Sequence, residues 1–254
     1  SFINYGLICN MKLLNKLRWA NLLAGLLWLR RLLKHRITPE ARIGLPSQMK
    51  LVNRIDYILQ YCSGKTVLHF GFTDYPYTLE KIDKGELLHL QLKKVTKNLF
   101  GIDNQEAALN KYIQITGDSQ VSKGDLLDKE SLKIIDQSFE IVLLGEILEH
   151  LKDPHGAIEN LYNIFPSATV FLVTVPNYTS LNAIAGSLHR KEMIHPDHYW
   201  YFSPFTLLRL FPDDKFETDD LLCGMYFQKA KRINFVLQGF PLLGDCIIGV
   251  FKRK

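Results

Sequence analysis

Five short β-rich runs, separated by helix-length intervals, constrain this chain more than any other feature. They are TVLHFG (66–71), NLFGID (98–103), the stretch 120–123, FEIVLLG (139–145) and ATVFLVTV (168–175). The segments 49–61, 77–97 (with Gly85 as a breaking point), 105–112 and 154–165 carry apolar residues at helical spacing. FEIVLLG, apolar but for Glu140, and ATVFLVTV, apolar but for two threonines, suit strands covered on both faces. Strand–helix alternation of this kind predicts right-handed βαβ units around a parallel sheet. The C-terminal third departs from it. There, 205–211 reads as a helix, and 216–226 and 245–252 as two late strands, the last antiparallel.

Composition matters mainly through where the charge lies. With 254 residues, 47% apolar and 22% charged, the chain can bury a sizeable core and is not disordered. Its net charge of +5 is concentrated before Pro39, where seven Lys and Arg stand with no acid. The rest holds 24 basic and 26 acidic residues. That body offers no basic stripe to a phosphate backbone, so nucleic acid is not the expected partner. Residues 11–36 form a broad apolar helical pattern flanked by cations, and Pro39 and Pro46 close it. The division expected is therefore a basic apolar helical arm with its linker over 1–46 and a domain over 47–254. The arm suits packing on the body or on a second copy in an oligomer. It equally suits peripheral contact with an anionic membrane surface. No apolar run is long enough to span a bilayer, and the cations after the arm do not suit a signal-peptide cleavage site. Cys9, Cys62, Cys223 and Cys246 are far apart with no C-x-x-C spacing. Reduced thiols and a cytoplasmic setting, with any membrane contact on its inner face, are expected.

Ligands of open α/β sheets bind beyond the carboxyl ends of the strands, which directs attention to the residues after each run. These are Gly71, then Asp103, then Asp125 and Leu126, then Gly145 and Glu146, then Pro176 and Asn177. A glycine lets a ligand approach the backbone, and an acid ending the second strand can accept hydrogen bonds from a ribose diol. One such Asp alone is as often a helix cap. Their ordered recurrence is stronger.

With TVLHFG, LFGID, GDLLD, FEIVLLGEILEHLKDP and VTVPN in this order, the chain resembles the class I S-adenosylmethionine-dependent methyltransferases from about residue 67 to 211. The resemblance extends to members associated with bacterial surface-polysaccharide synthesis. It implies a Rossmann-like, seven-stranded, mostly parallel sheet with helices on both faces and an antiparallel last strand. It also implies S-adenosylmethionine as cofactor, with Asp103 on its ribose, Asp125 and Leu126 near its adenine, and Gly145 lining its cleft. The first motif departs from the family: His69 occupies the usual acid's place, and Phe72 and Tyr75 stand where glycines are usual. Gly71 and Asp103 are also 32 residues apart in a unit where about 20 is usual.

The stretch Glu146-Ile147-Leu148-Glu149-His150 carries the densest chemistry. On a helix starting after the strand, positions i, i+3 and i+4 share one face, so two carboxylates and an imidazole would converge. That set suits Mg²⁺, Mn²⁺ or Zn²⁺. A metal-free contact with cofactor or acceptor, and simple helix capping, are the alternatives. The E-x-x-E-H stretch resembles ubiquinone-pathway and small-RNA O-methyltransferases, and likeness to the RNA enzymes implies a later histidine, His198, as a further ligand. His195 or His198 can serve as base for a hydroxyl, since a neutral alcohol is a poor nucleophile. The expected activity is O-methylation of a sugar hydroxyl on a glycan or lipid-linked glycan, or on a small-molecule acceptor. RNA 2′-O-methylation and a non-catalytic binding module of this fold are the rivals.

Overall fold

A computed structural model describes residues 24–25, 27–28, 49–133, 135, 137–226 and 237–254. The expected arm and linker lie almost wholly outside the described residues. Ala24, Gly25, Leu27 and Trp28 are helical and exposed. No helix among the described residues is long and apolar enough to cross a membrane.

The chain runs β1 (Leu51–Asn53), α1 (Arg54–Cys62), β2 (Thr66–Phe70), α2 (Thr78–Asp83), α3 (Leu88–Leu92), β3 (Asn98–Asp103), α4 (Glu106–Thr116), β4 (Val121–Lys123) and α5 (Lys129–Lys133). It continues with β5 (Ile141–Gly145), α6 (Pro154–Ile164), β6 (Val170–Pro176), α7 (Leu181–Leu188), α8 (Pro204–Leu208), β7 (Phe216–Met225) and β8 (Cys246–Arg253). Gly85, at φ 68°, separates α2 from α3 where one interrupted helix was expected.

The strands form one sheet in the order β1-β7-β8-β6-β5-β2-β3-β4. β8 is antiparallel to both neighbours, as the sequence indicates, and the other pairings are parallel. The sheet has eight strands, not seven. Residues 51–53, expected within a helix, extend to pair with β7 before Asn53 caps α1 through the Asp56 amide (3.0 Å).

Alternation along the central strands builds two cores. Val142 and Leu144 of β5 meet Ala157, Ile158 and Leu161 of α6 on one face. Ile141 and Leu143 meet Ile58 and Cys62 of α1 and Leu88 and Leu92 of α3 on the other. Helices therefore cover both faces. The 3₁₀ turn Leu148–His150 and the start of α6 follow β5 directly. Asp153 caps α6 through the Gly156 amide (2.8 Å), and a Cβ at Gly156 would lie 2.3 Å from that carboxylate. This cap fixes the chain just beyond the candidate site.

Candidate active site

The carboxyl ends of β2, β3, β5 and β6 bring the expected residues to one edge of the sheet. β2 ends in a turn at Gly71, φ 64°, where a Cβ would sit 2.6 Å from the Ile147 Cδ1. A side chain at that position would strain the backbone and collide with Ile147.

Asp103 ends β3 buried, with three protein donors on its carboxylate. Thr73 donates its amide (3.0 Å) and its hydroxyl (2.8 Å) to Oδ2, and the Gln105 amide donates to Oδ1 (2.9 Å). A carboxylate offers about four acceptor positions, so capacity for one further hydrogen bond remains. Asp125 is half-buried and accepts the Leu127 amide (2.8 Å). Leu126 is buried, and its carbonyl accepts Asn160 Nδ2 (2.9 Å).

Phe72 does not crowd this edge as its place in the motif suggests. Its ring turns into the core, 4.4 Å from the His89 ring and 5.0 Å from that of Tyr112. It occupies space that any side chain at Gly101 would fill, since a Cβ there would come within 2.7 Å of it. His69 is likewise buried, with Nδ1 3.2 Å from His89 Nδ1. Burial pushes both pKa values down, helped at His69 by the neighbouring His89 and Arg54 and opposed at His89 by the Asp118 charge, leaving His89 at about 3 and His69 well below the ordinary range. Two neutral imidazoles stand where an acid was expected.

The run 146–150 does not start a helix. Glu146 takes a left-handed conformation, φ 57°, and only a single 3₁₀ turn follows, so the shared helical face is not formed. The Glu146 carboxylate turns to Arg54 (3.6 Å) and accepts the Tyr226 hydroxyl. Arg54 also donates Nε to Thr174 Oγ1 (3.0 Å), and its Nη2 lies where a Cβ on Gly145 would come within 3.1 Å. Arg54 and Tyr226 carried no motif signal, and Thr174 lay in VTVPN without being singled out; separate elements assemble the three only on folding.

Glu149, His150 and His198 do come together, with ligating atoms within 4.8 Å of one another. Glu149 is fully buried, and neither carboxylate oxygen has a hydrogen-bond partner among the described residues. Burial, then the Glu146 charge, raise its pKa well above the usual carboxylate range. The 195–202 loop is tied down by the Tyr199 amide on the Glu149 carbonyl (2.8 Å) and by Trp200 Nε1 on the Leu151 carbonyl (2.7 Å). It places the His198 ring 4.5 Å, and the His195 ring 6.1 Å, from that of His150. Burial, then neighbouring imidazoles, push the His198 pKa down to about 4; burial also lowers that of His150. His195 is half-exposed, with Asp197 Oδ2 3.7 Å from Nδ1.

An open sheet with acids and glycines at its carboxyl edge is the architecture of nucleoside-cofactor transferases. The family described as "Methyltransferase domain" matches residues 74–220, more than half of the chain. The chain belongs to this family. No curated protein sequence matches it. Among solved structures it is similar to the small RNA methyltransferase HEN1, at 17% identity and TM-score 0.55. That match covers 79% of this chain and spans 25% of the other's length. It is also similar to the methyltransferase domain of bacterial CtHen1-CN, at 16% identity and TM-score 0.50, covering 78% of this chain and 95% of that one. At these identities the likeness is one of fold.

Proposed function

We propose that this methyltransferase transfers the methyl group to a sugar hydroxyl on a glycan or lipid-linked glycan. The observation that carries an oxygen acceptor is the convergence of the buried Glu149 carboxyl with the neutral imidazoles of His150 and His198. S-adenosylmethionine, when bound, supplies an electrophilic methyl on a sulfonium whose leaving group is a neutral thioether. The chain's own contribution is then placement of the acceptor and removal of its proton.

The cofactor edge fits a nucleoside. Asp103 has one acceptor position left for a ribose hydroxyl, Asp125 and Leu126 flank the adenine side, and the Gly71 turn exposes backbone. Gly145 contributes a small residue at the floor, beside Arg54 rather than open space.

The residues also fit a divalent cation. Glu149 has no partner among the described residues for either buried oxygen, and neutral imidazoles are the ligating form. Glu149, His150 and His198 would hold it, and a bound cation would lower the pKa of a coordinated hydroxyl. Glu146 is committed to Arg54 and Tyr226, so it would join this set only by leaving them. His198, with its depressed pKa, suits ligation better than proton uptake. His195, half-exposed and beside Asp197, is the better-placed base.

One observation favours a glycan over RNA: the body carries no excess of basic residues. The exposed aromatic rim of Tyr178, Tyr199, Trp200 and Tyr201 supplies stacking surface for a sugar ring. Transfer of labelled methyl groups from S-adenosylmethionine to a panel of polysaccharide, lipid-linked saccharide and small RNA tests the reading. Label confined to the saccharides is expected, with loss on His195→Ala; label on RNA alone overturns it.

A further inference from the structure

Beyond the histidine cluster, a cavity of 270 Å³ lies between α7 and the loop that follows it. Tyr178 and Tyr201 wall one side, with ring centroids 5.0 Å apart in an edge-to-face arrangement. Arg190, Lys191, Glu192 and Met193 also line it. Asn177 bridges to Phe202, and the Tyr178 amide donates to the Phe202 carbonyl (2.9 Å), which fastens the two walls together. Tyr201 is three residues from His198, so its backbone lies at most about 11 Å from that of His198.

The end of α7 is built to present Arg190. The Arg190 amide donates to the Ser187 carbonyl (3.0 Å) and the Lys191 amide to the Gly186 carbonyl (2.9 Å), closing a Schellman motif. The left-handed position of that motif favours glycine, yet Arg190 occupies it at φ 57°. Gly186 lets the returning chain close over the helix, since a Cβ there would meet the Met193 side chain at 2.3 Å and the Lys191 carbonyl at 3.0 Å. The Glu192 carboxylate already accepts the Tyr201 hydroxyl. Among the described residues, neither Arg190 nor Lys191 has an ion pair.

Resting on the sugar-methyltransferase reading, we infer that this cavity is an acceptor subsite for an acidic saccharide unit, one bearing a carboxylate or a phosphate. The sugar ring packs on Tyr178 and Tyr201, as aromatic faces accept apolar C–H surfaces. The guanidinium of Arg190 and the ammonium of Lys191 take the anionic group, for which a planar fork and a point charge are both suited. Glu192, held by Tyr201, accepts a ring hydroxyl. Arg190 and Lys191 against Glu192 leave the rim one positive charge, which a neutral sugar would not answer.

The test is calorimetry on the full chain with glucuronic acid, glucose 1-phosphate, glucose and inorganic phosphate as probes. Binding of one or both charged sugars at least about tenfold tighter than glucose is expected, and the better of the two identifies the anionic group. Arg190→Gly is expected to remove that preference while leaving the melting temperature unchanged or higher, because glycine suits the left-handed position. Lys191→Gln is expected to weaken it. Equal binding of charged and neutral sugars, no binding of any, or an Arg190→Gly variant that binds as the parent chain does overturns the subsite. So does inorganic phosphate binding as tightly as glucose 1-phosphate. Titration with S-adenosylmethionine is run in parallel and separates the two claims. If the cofactor binds and acidic sugars do not, the subsite fails and the methyltransferase reading stands. Arg190-dependent sugar binding without cofactor binding leaves the subsite and removes the reading.

Discussion

Acidification should unfold this protein through the buried pair His69 and His89. The two rings are 5.4 Å apart and nearly parallel, with Nδ1 atoms 3.2 Å from each other, so one ring donates a hydrogen bond to the other and the acceptor must be neutral. Both folded-state pKa values lie below the ordinary 6.5, that of His89 at about 3. The unfolded chain therefore binds more protons than the native one below pH 6.5, and stability falls as pH falls. At pH 5.5 a histidine that stays neutral in the fold loses ~1.4 kcal/mol relative to pH 7.5, so the pair loses ~3 kcal/mol. That is a large part of the ~5–15 kcal/mol stability of an ordinary domain. Urea unfolding monitored by circular dichroism at half-unit steps from pH 7.5 to 5.5 measures the slope. His69→Asn/His89→Asn, less stable throughout because it opens space beside Phe72, should show a slope smaller by that amount. His150 and His198 titrate in both proteins and cancel in the difference. Parallel curves for the two proteins would refute the assignment of neutral imidazoles to this pair.

Three further outcomes are expected. Glu149→Gln should abolish Mn²⁺ binding measured by electron paramagnetic resonance while leaving the melting temperature nearly unchanged, since it removes a buried carboxyl whose oxygens have no partner among the described residues. Mn²⁺ bound equally by the variant would exclude this residue as a ligand. Arg54→Leu deprives the Glu146 carboxylate of its cation and should cost about 1–3 kcal/mol, discounted for the partial exposure of Glu146. Adding Glu146→Gln should recover part of the loss in a denaturation series. Gly71→Ala should destabilise by about 1–3 kcal/mol, from the left-handed backbone and the contact with Ile147. Ile147→Ala in the same chain should relieve the steric share only.

Much of the sheet was legible because burial on both faces leaves a direct mark: IVLLG is apolar throughout, and VFLVTVP has Thr174 as its one hydroxyl. β1 was not, because three residues joined to a helical pattern carry no period of their own, and only β7 gives them a partner. Asp103 was legible as an acid at a strand end. That Thr73 shares its carboxylate was not, since those two bonds come from a turn 30 residues away. In 146–150 the residue types marked a titratable cluster, but helical spacing was the wrong template. The left-handed Glu146 sends its side chain to Arg54, and His198 arrives from a distant loop to take the place beside Glu149. Phe72 misled in the other direction: the hole beneath it comes from Gly101, on another strand.

The central claim is that this fold binds S-adenosylmethionine at the carboxyl edge of β2, β3 and β5. Isothermal titration of the full chain with S-adenosylmethionine, beside Asp103→Ala, tests it most directly. Saturable binding that weakens at least about tenfold in the variant is predicted, because the ribose loses a charged acceptor. No measurable binding at millimolar cofactor, or equal affinity in the two proteins, would contradict it.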